Sequence, residues 1–188
     1  FSSFYVGLAF QRMESKLSDS VREKVKRCLK RAGEWLCEND ESHGVLSNHL
    51  GVALTALDVI HAIVPDPRFP KRAEHFLGRI LNHQSAEGWM KEYEGADVGY
   101  GTHAFFYLAF HWKMTGCERT EKGLKAFADF LQYFVHPDGT IGGEYTSRNT
   151  EFYYPAGFEI FKGRSESAAA IAAALRKSMA ERRVCGVW

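Results

Sequence analysis

Apolar residues recur at helical spacing along most of the chain, in segments of two kinds. Segments of the first kind have a charged face and cover Ser20–Glu38, Lys71–Leu81 and Glu121–Phe134. Segments of the second kind are apolar nearly all round and cover Gly51–Val64 and Ala104–Met114. A helix with one wet face lies at a surface, whereas a helix that is apolar all round is buried. The alternation therefore predicts inner and outer helices, with the two apolar segments inside.

Three long polar loops follow the segments that have a charged face. They cover Glu38–His49, Gln84–His103 and His136–Pro155. Their ends recur at a spacing of about 50 residues, which is typical of stacked helical hairpins. Each loop leads into a more apolar segment, so we expect all three loops on one rim. Long loops in a compact helical domain are often functional. The sequence therefore predicts an all-α fold of about seven or eight helices, arranged as an α/α-toroid or an arc of one, with the chemistry on that rim.

Shorter patterns complete the predicted set of elements. An apolar stretch within Phe4–Met13 precedes the first charged segment, and a short segment at Phe158–Phe161 follows the third loop. An alanine-rich helix is expected over Ser165–Arg183. Extended backbone is expected only in short pieces around Trp89–Tyr93 and Thr140–Tyr145, because these pieces lack helical spacing.

Composition and charge narrow the class of function. The 188 residues are enough for one domain with a core, so we treat residues 1–188 as a single unit that belongs to a partial ring. The formal net charge of +1 does not indicate a protein that binds nucleic acid through its overall charge. No apolar run in the sequence is long enough to span a bilayer. Cys28 and Cys117 fit apolar helical positions, so buried free thiols are expected there. The chain begins with Phe, so an additional domain of a longer protein is possible and the cellular location stays unknown.

Two of the predicted inner helices open with polar motifs. Ser47-Asn48-His49 precedes one, and Gly99-Tyr100-Gly101-Thr102-His103 precedes the next. This pattern resembles the α/α-toroid domains of polysaccharide lyases of the heparinase and alginate lyase type. The resemblance covers the hairpin arrangement over most of the chain. It implies a polysaccharide or oligosaccharide as the partner, with no cofactor.

The resemblance also implies β-elimination on a uronic-acid unit. It makes Asn48 the group that neutralises the substrate carboxylate, His49 the base and Tyr100 a candidate acid. Tyr93, Tyr145, Tyr153 and Tyr154 compete with Tyr100 for that role, and we retain Tyr145 with it as a catalytic candidate. The other loop side chains are candidate substrate contacts: Trp89, Glu92, His103, Glu144, Arg148, Asn149 and Glu151.

Other functions stay open at this point. A glycoside hydrolase on the same fold needs two carboxylates from the loops, and the sequence does not say which two meet. A non-catalytic helical repeat module that binds a glycan or a protein is a further alternative. Gln84–Trp89 is also similar to one Gln-Trp repeat of the terpenoid cyclases, but the Asp-rich acid motif of that family is absent. The eight histidines include no pair at metal-binding spacing, so no metal site is expected.

Structural roles compete with these chemical ones. His49 at the start of a helix is as well suited to capping or packing as to catalysis. Asp138-Gly139 is a turn pair with a conformational reason to exist. Glu144, Arg148 and Glu151 suit an ion-pair network that ties the third loop down.

Overall fold

A computed structural model describes residues 1–150 and 152–183 of the chain, and at Arg148 and Asn149 it describes the backbone alone. The described residues form eight α-helices: α1 Ser2–Met13, α2 Asp19–Glu38, α3 Ser47–Ile63, α4 Arg68–Asn82, α5 Val98–Thr115, α6 Glu118–Leu131, α7 Ala156–Phe161 and α8 Glu166–Ala180. Two short strands, β1 (Lys91–Glu92) and β2 (Gly95–Ala96), form an antiparallel hairpin. Short 3-10 helices cover Glu14–Lys16, Gln132–Phe134 and Ser147–Thr150. The all-α class predicted from hydrophobic spacing is confirmed.

The helices pack in two layers that follow the order of the chain. In one layer α1, α3, α5 and α7 are successive neighbours, and in the other α2, α4, α6 and α8 are. Contacts between the layers join α1 to α2, α2 to α3, α3 to α4, α5 to α6 and α7 to α8. Most residues of α3 and α5 are buried, whereas α2 buries only Leu29 and Gly33. This difference confirms the predicted inner and outer helices, and the closing of the hairpins into a toroid stays a prediction. Cys28 is exposed on α2, which is contrary to the buried thiol expected from its helical position.

Aromatic side chains fill the space between the layers. The ring of Phe105 on α5 stacks on that of Phe158 on α7, with 4.3 Å between the ring centroids. Phe127 of α6 and Phe161 of α7 lie within 6 Å of the same ring. A smaller cluster, which includes Phe4 and Tyr107, holds α1 against α3 and α5. These contacts fix the positions of the inner helices that carry the candidate site.

The two central helices begin earlier than the hydrophobic pattern predicts. α3 starts at Ser47 rather than Gly51, and α5 starts at Val98 rather than Ala104. The reason is side-chain capping of free N–H groups at each helix start. The Asp97 carboxylate accepts the backbone N–H of Tyr100 at 2.8 Å. The first turns therefore present their polar side chains from helices rather than from mobile loop backbone.

Hydrogen bonds join the three loops on one side of the molecule. The Ser47 hydroxyl donates to the carbonyl oxygen of Lys91 at 2.7 Å, which joins the first loop to the second. The backbone N–H of Ser147 donates to Asp97 Oδ2 at 3.0 Å, which joins the second loop to the third. The backbone N–H of Tyr154 also donates to the Thr102 hydroxyl at 2.9 Å. The predicted common rim is therefore present where α3 and α5 begin.

Candidate functional site

An open cleft of about 500 Å³ lies at this rim. Its lining comes from α1, α3, α5 and the third loop: Phe1, Tyr5, Asn48, His49, Tyr100, His103, Tyr107, Phe152 and Tyr154. Positions 100, 103 and 107 share one face of α5 because residues three and four apart lie on the same side of a helix. The structure thus brings together four of the predicted site residues: Asn48, His49, Tyr100 and His103.

His49 lines the cleft and is bound to a carboxylate through one of its two ring nitrogens. Its Nδ1 lies 2.6 Å from Glu41 Oε2, and its side chain is 41% exposed. Among the described residues, none forms a hydrogen bond with His49 Nε2. A carboxylate that accepts the Nδ1–H leaves Nε2 as the basic atom of a neutral imidazole. The pair therefore has the geometry of a base and the group that orients it.

Glu41 stays ionised over the whole physiological range. Its other oxygen accepts the backbone N–H of His43 at 2.8 Å and lies 2.7 Å from the His43 ring. Partial burial raises the pKa of Glu41, but the hydrogen bonds from His43 and His49 outweigh it and hold this pKa at about 2. A fixed negative charge beside His49 stabilises the imidazolium that forms when the ring accepts a proton.

Asn48 is hydrogen-bonded to a buried carboxyl group. Its backbone N–H and its Nδ2 are 2.6 Å and 2.7 Å from the two oxygens of Glu92, which comes from β1. Glu92 is 2% exposed, and burial raises its pKa to about 8 against the opposing hydrogen bonds from Asn48. Glu92 thus caps α3 and fixes the amide plane of Asn48. It lies beneath the cleft and does not line it.

The floor of the cleft is a neutral aromatic network. The His103 ring stacks on Tyr154, with 3.8 Å between centroids and an angle of 8° between the planes. His103 Nε2 lies 3.1 Å from the Tyr107 hydroxyl, which is 3.4 Å from the hydroxyl of Tyr5. Burial, with a contribution from the nearby His49, lowers the pKa of His103 to about 4. His103 is therefore uncharged at neutral pH and supports the ring of Tyr154.

A second groove of about 410 Å³ adjoins the cleft. Phe1 and His49 line both cavities, and the groove runs on between α2 and α3. Trp35 lines it with 60% of its surface exposed, and Asp40 and Glu41 lie at its edge. The two cavities together form an extended, aromatic-lined surface with His49 at the junction.

Three of the predicted site residues lie away from the cleft. Trp89 belongs to a turn against α6, and its indole N–H donates to Glu87 at 3.1 Å. Tyr145 packs beside Phe134 on the edge of the core, with ring centroids 5.9 Å apart. Glu144 is exposed. Of the remaining candidates, Glu151 and the side chains of Arg148 and Asn149 lie outside the described residues.

Several lining residues were missed from the sequence. Glu41, Trp35, Tyr5 and Tyr107 were not singled out. Tyr107 could have been predicted from the sequence, since it follows His103 by about one helical turn and so lies on the same face of the helix. Glu41 shares the first loop with His49, but the sequence does not reveal which carboxylate of that loop reaches the ring.

No family model, no curated protein and no solved structure matches this chain. Within residues 1–150 and 152–183, no group of three His, Cys, Asp or Glu side chains is placed to hold a metal ion. None of the helices in that part of the chain combines the length and the apolar character needed to cross a bilayer. The geometry of the cleft is therefore the basis on which a function can be inferred.

The buried carboxyl of Glu92 makes stability depend on pH. Because its pKa rises from 4.5 to about 8 on folding, the folded state binds the extra proton between these values. The free energy of unfolding should therefore fall as pH rises through this window, by up to about 1.4 kcal/mol per pH unit. Urea unfolding of Glu92→Gln should show a flatter dependence than the wild type. The exposed Glu94→Gln is the matched control, and equal slopes in all three proteins would contradict the assignment.

Proposed function

We propose that the cleft is a lyase-like acid–base site that acts on a uronic-acid unit of a polysaccharide. The reaction would remove the proton next to the sugar carboxylate and expel the glycosidic oxygen by β-elimination. The observation that carries the proposal is the Glu41–His49 pair, with His49 and the neighbouring Asn48 both lining a cleft that is rich in tyrosine. All of these groups come from the rim that joins the helical hairpins.

His49 Nε2 is the proposed base. Proton transfer to a positioned imidazole contributes about 10²–10⁴-fold to such rates. The ionised Glu41 keeps the ring in the required tautomer and stabilises the charge that develops on it. The partial exposure of His49 leaves room for a sugar ring to approach.

Asn48 is the proposed stabiliser of negative charge. The amide nitrogen carries two hydrogens, and the bond to Glu92 uses one of them. Asn48 is only 2% exposed but lines the cleft, and the proposal assigns its second amide hydrogen to a substrate carboxylate. Because Glu92 fixes the amide, this donor is held in place before the enolate-like charge develops, which is the arrangement that lowers the barrier.

A tyrosine hydroxyl is the proposed acid for the leaving oxygen. Tyr100 is the candidate that the resemblance favours, and Tyr154 lines the same cleft. Burial raises the pKa of Tyr154, so its phenol stays protonated and able to donate. The neutral His103 beneath Tyr154 adds no competing positive charge at neutral pH.

The adjoining groove supports a polymeric substrate. Aromatic side chains offer flat apolar faces with polar edges, which suit sugar rings. Trp35 and Phe1 present such faces beyond His49, along the direction in which a chain of sugars would continue. An arc of a toroid, as predicted from the hairpin repeat, would place this groove along its rim.

The hydrolase alternative receives less support from the described carboxylates. Such an enzyme needs one acid and one base or nucleophile facing the scissile bond. Glu41 is bound by two histidines, Glu92 is buried beneath Asn48, and Asp97 caps α5. A glycan-binding module without turnover is the second candidate, because the aromatic lining alone would hold a sugar.

The test is an assay of uronate polymers that differ in sugar and linkage, followed by the ultraviolet absorbance of the unsaturated product. The wild type should generate absorbance with at least one polymer, and Glu41→Gln should lower the rate at least roughly tenfold by weakening the base. His83→Ala, an exposed histidine outside the cleft, is the matched control and should keep the wild-type rate. Reducing ends from neutral glycans would favour the hydrolase, and binding without either product would favour the binding module.

A further inference from the structure

The short segment that carries Glu41 is held by side chains rather than by its own backbone. It covers residues 40–44 in the loop between α2 and α3. Among the described residues, no hydrogen bond between two backbone groups involves this segment. Backbone polar groups that lack such partners are bound by side chains or by water. The position of the Glu41 carboxylate beside His49 therefore depends on contacts from elsewhere in the protein.

Arg79 of α4 binds both ends of segment 40–44. Its Nη1 donates to Asp40 Oδ1, and its Nη2 donates to the carbonyl oxygen of Gly44 at 3.3 Å. The same Oδ1 atom accepts the backbone N–H of Glu41 at 2.9 Å. A guanidinium is planar and has its donors in a fixed fork, so it sets the separation of the two groups that it binds. Arg79 therefore bridges the segment across the residue that contacts His49.

Contacts inside the segment continue this connection as far as the cleft. Glu41 Oε1 accepts the backbone N–H of His43 at 2.8 Å, and Glu41 Oε2 lies 2.6 Å from His49 Nδ1. The contacts thus run from Arg79 through Asp40 and Glu41 to the imidazole of His49. Arg79 itself lines neither the cleft nor the adjoining groove. Its influence on His49 is therefore exerted through segment 40–44.

Two other side chains of α4 lie near Asp40 but do not replace Arg79. Arg72 Nη2 and His75 Nε2 are 3.6 Å and 3.7 Å from its carboxylate oxygens, beyond hydrogen-bond distance. Arg72 instead donates to the carbonyl oxygen of Asn39 at 2.7 Å, just before the segment. Among the described residues, only Arg79 hydrogen-bonds to both ends of the segment. Loss of its guanidinium should therefore release segment 40–44 while the end of α2 stays bound.

We propose that Arg79 is a positioning residue for the site: it fixes segment 40–44 so that Glu41 stays on His49 Nδ1 and Nε2 remains the basic atom. The effect on catalysis rests on the proposed function, whereas the effect on the imidazole does not. A carboxylate that accepts the Nδ1–H holds a neutral imidazole in one tautomer. If the carboxylate moves away, both tautomers form, and only one of them presents a basic nitrogen to the cleft.

The first test follows the tautomer of His49 by ¹⁵N NMR of the histidine-labelled protein, at a pH where the ring is neutral. A hydrogen bond to an ionised carboxylate favours the Nδ1–H form by about tenfold or more. The wild type should show this preference, and Arg79→Gln should reduce it to less than about threefold. Arg119→Gln is the matched control, because Arg119 forms an exposed ion pair with Glu74, and it should keep the wild-type preference. An unchanged preference in Arg79→Gln would overturn the proposal.

The second test is steady-state kinetics on a uronate polymer that the wild type cleaves. Arg79→Gln should lower kcat about tenfold, as Glu41→Gln does, with little change in KM because Arg79 does not line the cleft. The double variant Glu41→Gln/Arg79→Gln should be no slower than Glu41→Gln, because both changes act through one contact. Arg79→Lys should recover only part of the rate, since lysine keeps the charge but lacks the fork. Additive losses in the double variant would contradict a role through Glu41.

Asp40→Asn tests the same contact from the loop side, and it leaves α4 unchanged. Its side-chain oxygen can still accept the N–H of Glu41, but the ion pair with Arg79 is lost, so the tautomer preference of His49 should fall as in Arg79→Gln. The tautomer measurement needs no substrate. A wild type that cleaves no uronate polymer but has an Arg79-dependent tautomer would support the positioning role and contradict the proposed function. An active wild type whose tautomer and rate are unchanged in Arg79→Gln and Asp40→Asn would overturn the positioning role alone.

Discussion

His49→Ala is expected to lower the rate of unsaturated product formation by about 10²–10⁴-fold and to leave the fold intact. The variant removes the proposed base. Its folding cost should be small, because the side chain is 41% exposed and, within the described residues, is hydrogen-bonded only to Glu41, at 2.6 Å. Initial rates from product absorbance measure the first effect, and thermal unfolding followed by circular dichroism measures the second.

His43→Ala is the matched control for this experiment. His43 binds the same carboxylate but is 79% exposed and does not line the cleft. It should therefore keep a rate near that of the wild type. A His49→Ala protein with an undiminished rate would remove His49 from the mechanism, and one that unfolds would make His49 structural.

Phe105→Ala should lower the free energy of unfolding by about 3–5 kcal/mol, the largest stability effect expected in this chain. Phe105 is fully buried and contacts rings on α6 and α7. Its removal opens a cavity where the two helical layers meet. Because α5 also carries Tyr100 and His103, the cleft should loosen as well. Urea unfolding at equilibrium measures the change.

Tyr133→Ala is the surface control for the core substitution. Its side chain is 84% exposed, so a change within about 0.5 kcal/mol is expected. If Phe105→Ala behaved like Tyr133→Ala, the packing of α5 against α6 and α7 would be wrong.

Hydrophobic spacing was sufficient to predict most of the fold. The contrast between amphipathic α2 and apolar α3 and α5 follows from burial on one side or on both, which the residue pattern reports directly. The helix starts were less accurate. Capping by Glu92 and Asp97 depends on contacts outside the apolar pattern, and the glycine-rich turn that opens α5 has little helical preference of its own.

The candidate site was predicted only in part, for a related reason. Asn48, His49, Tyr100 and His103 were found because they open or lie in the first turns of helices, where helical geometry fixes their direction. Trp89 and Tyr145 were placed at the rim because they are loop residues, yet Trp89 is hydrogen-bonded to Glu87 within its own turn and Tyr145 packs beside Phe134. Glu92 was expected to bind substrate, but its carboxyl holds Asn48 instead. Spacing along the chain does not report which way a loop side chain points.

The pairing of Asp58 with His111 was also out of reach of sequence patterns. His111 lies in the middle of an apolar helix, where a packing role is the usual interpretation. A tertiary contact between α3 and α5 brings the Asp58 carboxylate to 2.6 Å from its Nδ1.

The most direct test of the central claim is a crystal structure of the His49→Ala variant with a bound uronate oligosaccharide. We expect the sugar in the cleft at the start of α3 and α5, with its carboxylate within hydrogen-bond distance of Asn48 Nδ2 and the acidic C–H facing position 49. Further sugar units should continue into the groove lined by Trp35. An oligosaccharide bound on another face, or a cleft that stays empty at saturating ligand, would contradict the account.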